Sequence, residues 1–212
     1  MADLQFYFDP VCPWAYITSR WVTEVRAQRG YDVSWKFISL FMINDERGYG
    51  EANKAWRDGH FAGLQALRVA SATRAAAGND AVDAVYTALG KAIHADKRRP
   101  EQTGGMQNLL RSVLGEAGLN ADWAASADDE LHDEVIRHET KFALESTGKD
   151  VGTPILIFNP GTSEQASFFG PVISKIPRGA DAVRLWDAVY TIATTSGMAE
   201  LKRSLRAAPS FD

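Results

Sequence analysis

Cysteine is almost absent from this sequence: Cys12 is the only one, so no internal disulfide can form and any disulfide must join the chain to another molecule. That usage fits a reducing compartment. Basic charge is also short. The 212 residues carry a net charge of −4, which leaves no positive field to hold a phosphate backbone or an anionic bilayer and excludes nucleic acid and membrane as partners. No apolar run approaches the ~20 residues that span a bilayer. The opening MADLQFYF enters a strand pattern without a basic segment and leader, so a cytoplasmic protein is expected. No GxGxxG or P-loop follows either opening strand, and no bound nucleotide is implied. The four histidines, His60, His94, His132 and His138, lack metal-ligand spacing, and the last two fall on different helix faces; surface positions and no metal are expected. Internal repeats and low-complexity tracts are missing too.

What is present is an ordinary globular composition, 45% hydrophobic and 24% charged, long enough for one large domain or one domain carrying an insertion. Residues 8–16, FDPVCPWAY, organise the chain. Leu4, Phe6 and Phe8 alternate with Gln5 and Tyr7 as a strand does, and Pro13 stands where a first helical residue would. Cys12 is thereby placed at the helix N-cap or first position. There, unpaired backbone N–H groups and the positive end of the helix dipole favour a thiolate, and such thiols fall from about 8.5 into the range ~3.5–7.5. The competing reading is a buried, inert cysteine.

Residues 13–29 carry Trp14, Ile17, Trp21, Val22 and Val25 at helical spacing, with Gly30 as the stop. Residues 32–40 read as a second strand, with Val33, Trp35 and Phe37 on one face and an apolar run at Ile38 to Leu40. A βαβ unit of this kind implies a parallel pair with a right-handed crossover and ligands at the carboxyl ends of the strands. Met42, Ile43 and Asn44 would then share a crevice with Cys12.

From about 48 to 150 the pattern is helical. Phe61, Leu64, Leu67 and Ala70 form one stripe, Val82, Val85, Tyr86, Leu89 and Ile93 a second, and Met106, Leu109, Leu110, Val113 and Leu114 a third. RRPEQTGG at 98–105 reads as an exposed linker. A last helix is expected from Ser126 through Leu131, Val135 and Phe142 to Gly148, with Asp128 and Asp129 in its first turn. Strand pattern returns at Ile155 to Phe158; Asn159-Pro160-Gly161 turns it into an antiparallel hairpin containing Phe168 and Phe169. A final amphipathic helix spans 182–193, and 198–206 is expected to extend it by a basic turn. The expected organisation is an α/β fold at 1–47 and 151–212, interrupted by an all-helical insertion domain at 48–150.

The order β-α-β, helical insertion, β-β-α is a thioredoxin-like arrangement, and the chain resembles the DsbA-like branch of the thioredoxin superfamily. Within it the sequence is similar to actinobacterial mycothiol-dependent reductases, described as nitroreductases. The resemblance runs nearly end to end, through FDPVCPWAYITSRW, SLFMIN, DVGTPILIFN, FFGPVISKIPRG, LWDAV, ELKRS and PSFD. The family motif is Cys-Pro-Trp-Cys, and Ala15 occupies the place of its second, resolving cysteine. A mixed disulfide on Cys12 must therefore be resolved by an external thiol. The resemblance implies mycothiol, a small cysteinyl pseudodisaccharide, as that low-molecular-weight thiol co-substrate, and mixed disulfides or electrophilic and nitro small molecules as substrates.

The resemblance also assigns site residues. Thr153-Pro154 matches the cis-proline element of thioredoxin folds, in which the proline lies against the active cysteine and the preceding residue offers its backbone to substrate. Pro13 fixes the helix start without a backbone donor. Trp14 would stack on substrate or cover a thiol adduct, whereas Trp21, Trp35 and Trp186 read as core. Asn44 matches a pocket asparagine or is simply a turn residue. Trp56 aligns with an aromatic pocket residue. Asp9 either accepts a proton or caps the turn, and the turn is preferred.

Two other readings stand beside the reductase. Kappa-class glutathione transferases and hydroxychromene-carboxylate isomerases share the interrupted fold and activate a bound thiol without redox change; they usually carry serine at the position of Cys12. The other is a non-catalytic binding module. A homodimer is compatible with the sequence, which does not fix the oligomeric state.

Overall fold

A computed structural model describes residues 2–50 and 53–212, with the side chain of Glu101 also outside the description. Glu51 and Ala52, inside the expected helical stretch, lie outside the described residues. The chain forms two compact units. One holds the residues up to Phe8, Pro13–Lys36 and Leu144–Asp212; the other holds Asp9–Cys12 and Phe37–Ala143.

The first unit is built on a four-stranded sheet. Its strands are β1 (Leu4–Phe8), β2 (Val33–Phe37, whose last residue counts with the second unit), β3 (Ile155–Phe158) and β4 (Ala166–Phe169), in the order β2-β1-β3-β4. β1 pairs antiparallel with β3, from Leu4 opposite Phe158 to Tyr7 opposite Ile155. β3 pairs antiparallel with β4, from Ile155 opposite Phe169 to Phe158 opposite Ala166. All four residues of β3 are buried, as a central strand covered on both faces requires. The hairpin turns at Asn159, whose φ of 49° lies in the left-handed region that asparagine tolerates.

Helix α1 (Pro13–Arg29) spans the predicted residues and stops at Gly30, where φ is 69°. Its Trp21 meets Trp186 of α7 (Gly179–Thr194) at 5.5 Å between rings, and the Trp21 indole N–H donates to the Ala182 carbonyl at 2.9 Å. Trp35 closes edge-on over Phe6 at 5.2 Å. Trp21, Trp35 and Trp186 are thus core residues, as the sequence indicated. Beyond α7 the expected basic helical turn at 198–206 does not form; Leu201 and Leu205 are exposed there.

The second unit is helical: α2 (Leu40–Arg47), α3 (Lys54–Ala77), α4 (Asn79–Gly90) with a π turn at Lys91–Ala95, α5 (Met106–Glu116) and α6 (Asp133–Thr147), whose last turn counts with the first unit. Its core is supplied by Leu64 and Leu67 of α3, Val82, Val85 and Leu89 of α4, Leu109 and Val113 of α5, and Ile136 of α6. Arg68 makes a two-pronged bond to Asp133 at 2.7 and 2.8 Å, tying α3 to the start of α6.

Further expectations are corrected. The second strand ends at Phe37 rather than Leu40, because the Ser39 side chain accepts the Met42 N–H at 3.2 Å and caps α2. The last insertion helix starts at Asp133 rather than Ser126. Residues Ala121–Asp128 and Glu130–His132 are 3-10 turns, and the Asp129 side chain caps the shorter one instead of entering an α-helical first turn. The stretch 98–105 joins two helices of one unit, as a linker there would, with Arg99, Gln102 and Gly104 exposed and a single 3-10 turn at Pro100–Thr103; Arg98 bonds Glu116 at 2.8 Å. Phe61, assigned to the first apolar stripe, is exposed, and so are Leu131 and Phe142. By compactness the two units divide near Phe37 and Ala143, with residues 9–12 on the helical side. α2 packs on α3 inside the helical unit, which draws the division toward Phe37.

Candidate active site

Asp9-Pro10-Val11-Cys12 is a tight turn whose sequence dictates its shape. Aspartate and proline occupy the first two positions, where each is favoured, and the Cys12 N–H closes the turn on the Asp9 carbonyl at 3.0 Å. Asp9 Oδ1 adds an Asx-type bond from the Val11 N–H at 3.0 Å. Its Oδ2 accepts the Leu40 N–H, the first residue of α2, at 2.8 Å. The carboxyl is completely buried. Burial raises it from 3.8 to about 7, against the two backbone bonds, which lower it. Of the two roles weighed on sequence, turn capping is the one these bonds make.

Cys12 ends this turn and is followed directly by Pro13, the first residue of α1. No acidic side chain lies in the first turn of α1, while Arg26 and Arg29 occupy the last, so charge along the helix leaves its positive end unneutralised from within. Cys12 is 6% exposed; Pro13 and Trp14 are half-buried, and Ala15 is buried.

The remaining predicted residues are distributed as follows. Thr153 and Pro154 are buried in the sheet-bearing unit, joined by a cis peptide bond. The Thr153 hydroxyl donates to the Tyr7 carbonyl on β1 at 3.1 Å, and the Pro154 carbonyl accepts the Gly170 N–H at 2.9 Å. A second cis bond, Gly170–Pro171, follows β4 and was not anticipated. Asn44 lies on α2 rather than in a turn; its amide donates back to the Leu40 carbonyl at 2.7 Å. Trp56 on α3 is 69% exposed and stands edge-on to His60 at 5.7 Å between rings. His60 bonds the Tyr49 hydroxyl at 2.8 Å through Nδ1. Burial lowers His60 and, with the Asp45 charge, raises Tyr49, so both shifts keep the pair uncharged. Phe41 of α2 touches Phe61 at 5.3 Å, completing an aromatic group along α2 and α3.

Histidines expected on the surface are in part engaged. His94 bonds the Pro10 carbonyl at 2.9 Å and burial lowers its pKa to about 4; His132 bonds the Ser71 hydroxyl at 3.2 Å. Neither bond had a sequence signal, because each partner lies more than 60 residues away. Among the described residues no group of His, Cys, Asp or Glu is assembled to hold a metal, and no helix is long and apolar enough to cross a membrane.

The interrupted thioredoxin fold is shared with DsbA-like oxidoreductases. The probable DsbA oxidoreductase SCO1869 of Streptomyces coelicolor superposes with a TM-score of 0.56 over 96% of this chain and 94% of its own, at 15% identity. The cytosolic disulfide reductase DsbM of Pseudomonas aeruginosa, solved with GSH, gives 0.52 over 78% and 88%, at 16% identity. At these identities the likeness is one of fold. Residues 11–203 match the Rv2466c-like family, described as mycothiol-dependent nitroreductase Rv2466c, and the chain belongs to that family of oxidoreductases. Rv2286c of Mycobacterium tuberculosis, an uncharacterised protein, is 31% identical over 205 residues, which are 96% of this chain and 82% of the relative.

Proposed function

We propose that this oxidoreductase works through one nucleophilic cysteine and takes both its resolving thiol and its electrons from mycothiol. The observation that carries the reading is the pairing of Cys12, directly ahead of α1, with a buried Ala15 where a resolving cysteine would stand. The Cys12 thiolate attacks the mycothiol sulfur of a substrate–mycothiol mixed disulfide, forms a Cys12–mycothiol S–S bond and expels the substrate sulfur as a thiolate. With no second cysteine in the chain, a mycothiol thiolate then attacks the adduct, leaving mycothiol disulfide and restoring the Cys12 thiolate. For a nitro substrate, two mycothiols supply two electrons and two protons per step, giving the nitroso compound, water and mycothiol disulfide. Low exposure of Cys12 favours a slender small-molecule thiol over a protein disulfide.

Pro13, Trp14, Asn44, Trp56, Thr153 and Pro154 are assigned to substrate and thiol binding. Trp14 and Trp56 offer flat faces to a planar substrate or a thiol adduct, and Thr153 and Pro154 orient the partner. The compartment is the reducing cytoplasm, in keeping with the lone cysteine. The test is incubation with mycothiol disulfide followed by intact-mass analysis. One mycothiol added at Cys12 and removed by free mycothiol supports the cycle. No adduct, together with thiol addition or isomerase turnover that consumes no electrons, replaces it with transferase-type chemistry.

A further inference from the structure

Residues 9–12 follow a strand of the sheet-bearing unit yet pack with the helical unit, and three elements of that unit hold them. The N-terminus of α2 supplies the Leu40 N–H to Asp9 Oδ2 at 2.8 Å. α3 presses in at Gly63, where an added Cβ would sit 2.6 Å from Asp9 Oδ1 and 2.9 Å from Val11 Cγ2. The π turn after α4 supplies His94, whose Nε2 meets the Pro10 carbonyl at 2.9 Å. A carbonyl only accepts, so Nε2 carries the proton and donates.

We propose that Asp9 and His94 are positioning residues for the nucleophile, clamping the 9–12 turn so that Cys12 is held at the start of α1. The inference rests on Cys12 being the nucleophile, as argued above. Each partner suits the task by its donor and acceptor inventory. Two backbone N–H groups converge on Asp9, and a carboxylate offers an oxygen to each; an asparagine offers one oxygen and sets its NH2 against the second donor. At Pro10 a glutamine can replace the imidazole donor, whereas phenylalanine fills similar space and donates nothing. The helical unit, to which residues 9–12 themselves belong, thereby fixes the reactive loop. Loosening the turn releases the sulfur from the helix terminus to solvent, and its ionisation returns toward about 8.5.

The experiment is the pH dependence of Cys12 alkylation by iodoacetamide, read by intact mass, in wild type and in His94→Phe, His94→Gln and Asp9→Asn, with folding followed by far-UV circular dichroism. The midpoint is expected to rise toward about 8.5 in His94→Phe and Asp9→Asn and to stay at the wild-type value in His94→Gln. Folded His94→Phe and Asp9→Asn proteins with the wild-type midpoint overturn the clamp, since a residue that only stabilises the fold lowers the melting temperature without moving a thiol titration. Amide exchange in the wild type needs no variant. Slow exchange at Val11 and Leu40 supports the clamp, and exchange as fast as in the exposed 46–48 stretch overturns it. A wild-type midpoint at or above about 8.5 would instead refute the nucleophile itself, leaving amide exchange to judge whether the turn is clamped.

Discussion

The Glu139 carboxylate on α6 accepts the backbone N–H of Phe37, the last residue of β2, at 2.8 Å. One residue ring away, Arg74 of α3 pairs with the same carboxylate at 3.0 Å and lays its guanidinium 4.1 Å from the centre of the Phe37 ring. Strand end, α3 and α6 are thus joined through one buried acid, next to Ser39, whose N–H donates to Thr140 Oγ1 at 3.0 Å. Glu139→Ala removes one partner from a mostly buried ion pair and strands the Phe37 N–H. It should cost about 3 kcal/mol in urea unfolding, and Glu139→Gln, which keeps an acceptor, distinctly less. Equal losses in the two variants would mean that the hydrogen bond contributes nothing.

Two glycines of α3 should respond in opposite directions. Gly63 abuts Asp9 and Val11, and Ala there must displace a buried carboxyl group; a loss of roughly 1–3 kcal/mol is expected. Gly59, on the same helix with nothing within 4 Å of an added Cβ, should gain about 0.5–1 kcal/mol on replacement by Ala. Thermal melts of both single variants check the pair.

Asp9 and His94 grip one turn but titrate in opposite senses. Asp9 is raised from 3.8 to about 7, so the folded state keeps a proton that the unfolded chain has released. Its contribution is complete below pH 3.8 and is lost as pH rises through about 7. His94 is lowered from 6.5 to about 4, so the unfolded chain takes a proton that the folded state refuses. Its contribution is present above pH 6.5 and is lost as pH falls through about 4. In the wild type the two slopes offset. Stability of Asp9→Asn should therefore rise with pH across this window and that of His94→Phe should fall, each by about 1.4 kcal/mol per pH unit at most. Urea midpoints at four pH values would show it, and flat profiles in both variants would contradict it.

Cys12→Ser should abolish mycothiol-dependent turnover, because serine is neither a thiolate nor able to form a disulfide. Full activity in that variant would eliminate the redox cycle. Ala15→Cys should install the missing resolving thiol, so that oxidation yields an internal disulfide seen by mass as the loss of two hydrogens. Its adduct would then clear without added mycothiol.

Much of this protein was written in local pattern. The alternation Leu4, Phe6, Phe8, the Pro13 start and Gly30 stop of α1, and the Asn159-Pro160-Gly161 turn specify elements through backbone preferences that act over a few residues, and each element formed where expected. The single cysteine and Ala15 were likewise decided by the sequence alone, since chemistry that needs a second thiol cannot be supplied by folding. Apolar spacing proved less decisive where tertiary packing intervened. Ile38 to Leu40 reads as continuing strand, yet the Ser39 cap and the Glu139 and Thr140 bonds around it end β2 and start α2. Phe61 reads as one stripe with Leu64 and Leu67, yet it is exposed while they are buried. The clamp on the 9–12 turn is the extreme case. Its donors come from Leu40 and His94, 31 and 84 residues from the groups they bond, and burial sets the titration of both Asp9 and His94. Hydrogen bonds of that span carry no periodic signature, and desolvation exists only once the chain has closed around the group; local sequence fixes which atoms can react, and the fold alone decides how they are held.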